Sequence, residues 1–191
     1  TAKYCAIYNN TFNFTATHSN SGYLAFMHFY LSKYNNVNDN TFNLVDNSTT
    51  TGTKIAFSLR DSSHYNQMFR NTWNISGSPT RPTHIYASND GGSYNADGLG
   101  TGLVGDNHWN GNIIRNSIAT AVPFYWQAGA WRDTVQFNLI AASGTANAVQ
   151  SDSRLNSVIF RHNTLYTAGG TVFSHASGTT SSSKAVSNVF Y

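Results

Sequence analysis

The stretch Asn71-Thr72-Trp73-Asn74-Ile75 decides the fold, because versions of it return along the whole chain. Close copies begin at Asn10 and Asn40, and weaker ones begin at Asn116, Asn138, Asn163 and Asn188. Subtracting successive residue numbers gives spacings of 30, 31, 45, 22, 25 and 25 residues. Repeats of this length are typical of solenoids and propellers.

Apolar residues hold fixed positions around the repeated asparagine. Three positions before it stand Ile7, Val37, Met68, Ile113, Val135, Phe160 and Ala185. Two positions after it stand Phe12, Phe42, Trp73, Ile118, Ile140, Leu165 and Phe190. Stacked coils bury columns that stay apolar in every repeat. The residue directly before the asparagine is mostly polar although alternation would bury it, so we expect a left-handed or bulged residue there.

Each repeat has room for a first strand, a turn, a second strand that ends at the asparagine and a short third strand. The first strand is predicted at Leu24 to Met27, Ile55 to Ser58, Ile85 to Ser88, Phe124 to Gln127, Ala148 to Ser151 and Thr171 to Ser174. Asn, Ser, Thr, Gly and aromatic residues dominate the composition, which favours strands and tight turns over helices. The sequence therefore predicts an all-β solenoid of about six to seven three-strand coils.

Asparagines repeated between apolar columns resemble those of the right-handed parallel β-helix of the pectate-lyase-like superfamily. The matching residues are Asn10, Asn40, Asn71, Asn116, Asn138, Asn163 and Asn188. The resemblance covers nearly the whole chain and implies that these side chains form an internal hydrogen-bonded ladder at a turn. It implies a scaffold rather than a function, because enzymes, adhesins and viral tailspikes share this fold.

Composition excludes several classes of protein. The chain of 191 residues is 10% charged, with eight Asp and no Glu, and its formal charge is +3. The Lys and Arg residues are dispersed, which argues against a nucleic-acid partner. Cys5 is the only cysteine, so no internal disulfide or cysteine-based metal site is expected. No apolar run reaches the roughly 18 residues of a membrane span.

Residues 1–191 are predicted to form one β-helical segment with a single large insertion, the Gly-rich stretch 91–107. A loop of this length is more often functional than neutral. The chain opens on a strand and stops at Phe190-Tyr191 without a polar cap. Solenoid ends normally carry caps, so we expect flanking coils of a longer solenoid, or further copies of the chain, to cover both ends.

The resemblance implies a substrate groove along the outer face of the first strands. A lyase acting on an acidic polysaccharide needs a base and a cation or metal that stabilises the enolate-like intermediate. The candidates are His28 or His84 as the base and Lys54 with Arg60 as the cations. For each of them, the alternative is an ordinary polar residue at a strand start or rim.

Carboxylates offer a weaker pattern. Asp61, Asp90 and Asp152 come from separate coils and are candidate calcium ligands, so the cofactor is either calcium or none. No closely spaced carboxylate pair is present, which makes glycoside hydrolysis the less favoured chemistry.

Aromatic residues of the third and fourth coils are candidate sugar-binding groups: Tyr86, Tyr125, Trp126 and Trp131. A solenoid core also absorbs such residues, so burial is the alternative for each. The expected function is an extracellular β-helix that engages a polysaccharide, with a lyase as its enzymatic form. The alternative is a non-catalytic structural or adhesive solenoid, such as a surface filament, a stalk or a phage tailspike segment.

Overall fold

The computed structural model describes residues 3–19, 24–49, 54–60, 62–79, 83–87, 104–126, 130–151, 155–175 and 180–191. These residues form strands, turns and bends and contain no helix, as the sequence predicts. The first eleven strands are β1 (Ala6–Tyr8), β2 (Thr11–Ala16), β3 (Leu24–Tyr30), β4 (Asn36–Asn38), β5 (Thr41–Asp46), β6 (Lys54–Arg60), β7 (Gln67–Phe69), β8 (Thr72–Gly77), β9 (Thr83–Ala87), β10 (His108–Asn110) and β11 (Ile113–Asn116). The others are β12 (Phe124–Trp126), β13 (Ala130–Trp131), β14 (Thr134–Gln136), β15 (Leu139–Ala142), β16 (Val149–Ser151), β17 (Leu155–Asn156), β18 (Ile159–Arg161), β19 (Thr164–Thr167), β20 (Phe173–His175), β21 (Thr180–Ser181), β22 (Lys184–Val186) and β23 (Val189–Phe190).

Every strand pairing among the described residues is parallel, and the strands stack in register from one repeat to the next. Two seven-stranded sheets have the orders β1-β4-β7-β10-β14-β18-β22 and β2-β5-β8-β11-β15-β19-β23. Three-stranded sheets follow the same rule, with the orders β3-β6-β9, β12-β16-β20 and β13-β17-β21. Each repeat thus adds one strand to each seven-stranded sheet, which is compatible with a parallel β-helix, and we call one repeat a coil.

A fourth short segment in each coil departs from the predicted three strands. In the earlier coils it is a single bridging residue, so that Lys3, Lys33, His64, Gly105 and Trp131 pair in sequence. In the later coils it widens into β13, β17 and β21. Single-residue bridges have no periodicity of their own, which is why the sequence pattern does not reveal them.

Left-handed residues turn the chain between these segments, as the sequence predicts for the position before the asparagine. There the φ angle is 57° at Asn9, 58° at Asp39 and 53° at Arg70, and Gly111 has φ 68°. A second corner in each coil has the same conformation, with φ from 49° to 60° at Tyr4, Tyr34, Tyr65, Asp106, Arg132, Ser157 and Ser182. Each left-handed residue reverses the alternation, so that polar residues face outward beside an apolar column.

An asparagine ladder runs through all seven coils. Each rung accepts hydrogen bonds at its Oδ1 from the backbone N–H and the Nδ2 of the rung before it, at 2.9–3.2 Å. Its members are Asn10, Asn40, Asn71, Asn112, Asn138, Asn163 and Asn188. The stacking satisfies amides that would otherwise be buried without partners, at about 1–3 kcal/mol each.

The prediction of Asn116 as the fourth rung is wrong. Asn116 lies on β11 opposite Ile75 and Ala142, four residues past the ladder, and its Oδ1 accepts a hydrogen bond from the backbone of Ile118. Gly111 supplies the left-handed corner just before Asn112, which fixes the rung there.

The apolar columns shift with that rung. Trp109 and Ile114, which are both fully buried, replace the predicted Ile113 and Ile118. Aromatic rings stack along the column after the rung, with Phe42 lying 3.8 Å from Trp73 between ring centroids. The core therefore runs as continuous columns through the stack.

A second ladder, which the sequence analysis missed, runs through Asn35, Asn66, Asn107 and Asp133. Asn35 and Asn66 donate to the next rung at 2.9–3.2 Å, and the backbone N–H of Asn107 donates to Asp133 Oδ1 at 2.9 Å. Residues 91–103 of the predicted insertion lie outside the described residues, and 104–107 continue the coil. No helix in the described part of the chain has the length and apolarity needed to cross a membrane.

Candidate functional site

The predicted first-strand face brings two of the four candidate catalytic residues together. His28 on β3 is exposed and Arg60 on β6 is half-buried, and Tyr30 joins them because it pairs with Arg60 and lies 6.0 Å from the His28 ring. His28 pairs with Ser58, an offset of 30 residues, which is one less than the 31 residues between Asn40 and Asn71.

Other predicted site residues are only partly described or lie outside the described residues. For Lys54 on β6, and for His84 and Tyr86 on β9, the structure describes the backbone alone. The three candidate calcium ligands, Asp61, Asp90 and Asp152, lie outside the described residues. Within the described ranges, no group of three His, Cys, Asp or Glu side chains is placed to hold a metal ion.

Among the predicted sugar-binding aromatics, the prediction for Trp126 is wrong. It is fully buried, and its indole N–H donates to Asp133 Oδ2 at 3.3 Å, so no ring face is open to a ligand. Phe124 is also fully buried, because residues two apart on a strand share a face. Tyr125 and Trp131 are half-buried, and the guanidinium of Arg132 lies 5.6 Å from the Trp131 ring centroid.

Two adjacent columns of side chains form a corner that we call the basic–aromatic corner. One column is the bridging series Lys3, Lys33 and His64. The other is the left-handed series Tyr4, Tyr34 and Tyr65. The tyrosines are 76%, 43% and 41% exposed, and their rings stack at 5.2 and 5.0 Å with planes within 6°. Two coils thus present a lysine beside a tyrosine, and the third places the largely buried His64 beside Tyr65.

The three tyrosines of this corner adopt left-handed backbone conformations. A bulky residue in the left-handed region costs roughly 1–2 kcal/mol, and the corner uses tyrosine there three times in succession. The second ladder lies one residue further along each coil, where the backbone N–H of Cys5 donates to Asn35 Oδ1 at 2.9 Å. The scaffold therefore holds the tyrosines in a fixed backbone conformation at an exposed position.

A charged cluster continues the corner into the fourth and fifth coils. There Asp106 and Arg132 take the place of tyrosine, and Arg132 Nη2 lies 2.7 Å from Asp106 Oδ2. His64 Nδ1 lies 3.8 Å from the same oxygen. Burial lowers the pKa of His64, although the nearby carboxylate of Asp106 opposes that effect. At neutral pH, His64 is therefore a neutral imidazole, able to accept a proton, between a carboxylate and cationic side chains.

The carboxyl group of Asp133 is buried directly beneath this cluster. Burial raises the pKa of Asp133 to about 7, while hydrogen bonds from the Asn107 backbone and from Trp126 act in the opposite direction. Its rung position in the second ladder gives it a structural role. Asp133 is therefore part of the buried scaffold next to Arg132 and does not lie on the exposed surface.

Sequence reasoning missed the basic–aromatic corner, although a repeated pattern marks it. Lys3-Tyr4, Lys33-Tyr34 and His64-Tyr65 recur at spacings of 30 and 31 residues, the same spacings as the first three ladder asparagines. Dipeptides carry little weight alone, but those in phase with a structural repeat mark a column.

Comparisons with protein-family models, with curated proteins and with solved structures gave no match. The functional argument therefore depends on the geometry of the site.

Proposed function

We propose that this chain is an extracellular, right-handed parallel β-helix of the pectate-lyase-like type that binds an acidic polysaccharide along the basic–aromatic corner. The observation that carries the proposal is the stack of three tyrosines, which lies beside Lys3 and Lys33 in the first two coils and beside His64 in the third. Parallel strands lie about 4.8 Å apart, so the corner offers charge and aromatic surface at a regular repeat. The right hand is the usual one for parallel crossovers.

An acidic polysaccharide fits this corner better than other polyanions. Lysine ammonium groups attract carboxylates, and tyrosine offers an apolar ring edge with a hydroxyl group that can donate to a sugar oxygen. The basic column is only three residues long and includes the neutral His64, which is too little positive charge for a nucleic-acid backbone. The ligand is therefore weakly charged and rich in hydroxyl groups.

A lyase is the enzymatic form of this proposal. In the elimination, a base removes the proton next to the sugar carboxylate, and the released electron pair is delocalised onto that carboxylate. The carbon–carbon double bond then forms as the glycosidic carbon–oxygen bond on the neighbouring carbon breaks, and the departing oxygen receives a proton. His64 has the protonation state of a base, and Arg132 and Lys33 can stabilise the charge that develops on the carboxylate. On the first-strand face, His28 and Arg60 form a second base-and-cation pair.

Affinity electrophoresis and absorbance of unsaturated products, with alginate, pectin and glycosaminoglycans, test binding and cleavage separately. We expect the variants Lys33→Gln and Tyr34→Ala to weaken binding about tenfold each, and Asn36→Ala, an exposed change on β4, to leave it unchanged. For a lyase, His64→Gln abolishes product formation but retains binding. Absence of binding to all three polymers would refute the proposal.

A second candidate function is a structural or adhesive solenoid without catalysis. The specific observation in its favour is the asparagine ladder, which runs through all seven coils and makes a rigid rod. Binding without any product from the three polymers would favour this candidate.

A further inference from the structure

A flat array of threonine and asparagine lies on the outward face of β2, β5 and β8. We call it the Thr/Asn face, and its members are Thr11, Asn13, Thr15, Thr41, Asn43, Val45, Thr72, Asn74 and Ser76. The strands are in exact register, so Thr11, Thr41 and Thr72 form one row. The residues between them, such as Phe42 and Trp73, are buried in the core.

The asparagines of this face form a third, exposed amide row. Asn43 Nδ2 donates to Asn13 Oδ1 at 2.9 Å, and Asn74 Nδ2 donates to Asn43 Oδ1 at 2.9 Å. Asn43 and Asn74 each use one of their two N–H bonds in the row, so the central amide of Asn43 keeps an N–H and oxygen lone pairs for a ligand. The row fixes the amide planes before any ligand arrives, which lowers the entropic cost of binding.

The charge of the face narrows the class of ligand. None of its nine side chains is ionisable, whereas the basic–aromatic corner of the same coils carries Lys3, Lys33 and His64. One exposed cation, Arg115 of β11, borders the face opposite Asn74. A single bordering cation is too little positive charge to attract nucleic acid or an anionic membrane. Val45 is its one large apolar side chain, whereas protein interfaces centre on buried aromatic or aliphatic anchors.

The regular spacing of the side chains on the Thr/Asn face narrows the class of ligand further. Neighbouring strands lie about 4.8 Å apart, and alternate residues along a strand lie roughly 6.6 Å apart. Each hydroxyl or amide contact contributes only about 0.5–1.5 kcal/mol, so useful affinity requires many contacts at once. A flexible soluble chain would lose its conformational entropy in matching the array, whereas an ordered solid has lost it already.

We propose that the Thr/Asn face binds an uncharged polysaccharide in its ordered, insoluble form. The proposal does not depend on the basic–aromatic corner, because the two surfaces belong to different segments of each coil and differ in charge. One chain would then hold a neutral lattice on one face and an acidic polymer at another.

Pull-down of the full chain with microcrystalline cellulose and with chitin particles tests the proposal, with soluble hydroxyethyl cellulose as competitor. We expect wild-type protein to bind at least one particle type, and the soluble polymer to compete weakly. Asn43→Asp should weaken binding tenfold or more, because it places a charge that must be desolvated at the centre of the face. Thr41→Val, which keeps the shape and removes the hydroxyl group, should weaken it several-fold.

Asn36→Asp is the matched control, because it makes the same change at an exposed position on β4 in the same coil, and it should bind like wild type. Circular dichroism melting confirms that each variant is folded. Absence of binding to both particle types overturns the proposal, as does equal affinity for the soluble polymer. Loss of binding in Tyr34→Ala but not in Asn43→Asp would assign the ligand to the basic–aromatic corner instead. Inhibition of ice recrystallisation that Asn43→Asp abolishes would replace the polysaccharide with ice.

Discussion

Replacing Asp133 with asparagine should change how the stability of the protein depends on pH. The carboxyl group is completely buried, and its pKa is raised from 3.8 to about 7, chiefly by burial. A raised folded-state pKa means that the folded protein binds the proton more tightly than the unfolded chain does. The stabilisation is therefore full below pH 4 and is lost as the pH rises through 7.

The size of this effect follows from the shift. Three pKa units at 1.36 kcal/mol each correspond to roughly 4 kcal/mol between pH 4 and pH 8. This is a large part of the 5–15 kcal/mol that stabilises a typical domain. His64 acts in the opposite direction, because its lowered pKa makes the fold lose stability as the pH falls below about 6.5. The measurement must therefore compare variants rather than interpret one curve.

Asp133→Asn removes the titration but does not reproduce the hydrogen bonds. An amide cannot accept from both the Asn107 backbone and the Trp126 indole, so one donor is left unsatisfied at a cost of about 1–3 kcal/mol. We expect the variant to be less stable than wild type at pH 4 and at least as stable at pH 8. The two stability curves should cross.

Urea unfolding followed by tryptophan fluorescence at pH 4 to 8 gives both curves. Asp39→Asn is the control, because Asp39 is exposed and its hydrogen bond from Arg70 lowers its pKa, so its effect is confined to acid pH. A constant stability difference between wild type and Asp133→Asn across this range would refute the reasoning.

Three further predictions concern the scaffold. Asn71→Ala should lower the free energy of unfolding by roughly 3 kcal/mol, because it leaves buried ladder groups without partners. Asn74→Ala, in the exposed amide row, should lower it by under about 1 kcal/mol. Urea titration measures both free energies. Gly77→Ala should destabilise the fold or prevent folding, since φ is 118° and a new Cβ would lie 2.0 Å from a backbone oxygen of the neighbouring strand. The melting temperature measures this loss of stability, and an unchanged melting temperature would contradict the backbone geometry. A double-mutant cycle on the exposed pair Arg70–Asp39 should give a small coupling free energy that shrinks with added salt, and a large salt-independent coupling would be inconsistent with its exposure.

Most of the scaffold could be predicted from sequence because each feature repeats. Asn10, Asn40 and Asn71 share their flanking residues, and identical environments make identical rungs. The predicted position of the fourth ladder rung was wrong because the repeat is interrupted there. Asn112 and Asn116 are each followed two residues later by isoleucine, and the left-handed Gly111 before Asn112 separates them only when the geometry is known.

The candidate site was harder to predict because it depends on positions that are not hydrophobic. Strand alternation alone places Trp126 with Phe124 on the buried face, so its burial was within reach of the sequence. The Asp106–Arg132 ion pair could not be predicted from the sequence, since it joins two coils whose alignment depends on the length of chain between them. Ion pairs between coils follow from register, and register follows from the ladders.

The two ladders have different structural roles. The first lies next to apolar columns and specifies the stack. The second lies one residue after the basic–aromatic corner and holds three tyrosines in left-handed conformations that cost roughly 1–2 kcal/mol each. It reaches Asp133 in the coil where the corner has changed from tyrosine to Arg132, so the buried carboxyl group and the exposed ion pair share one turn. The scaffold therefore fixes the position of every side chain in the proposed binding corner.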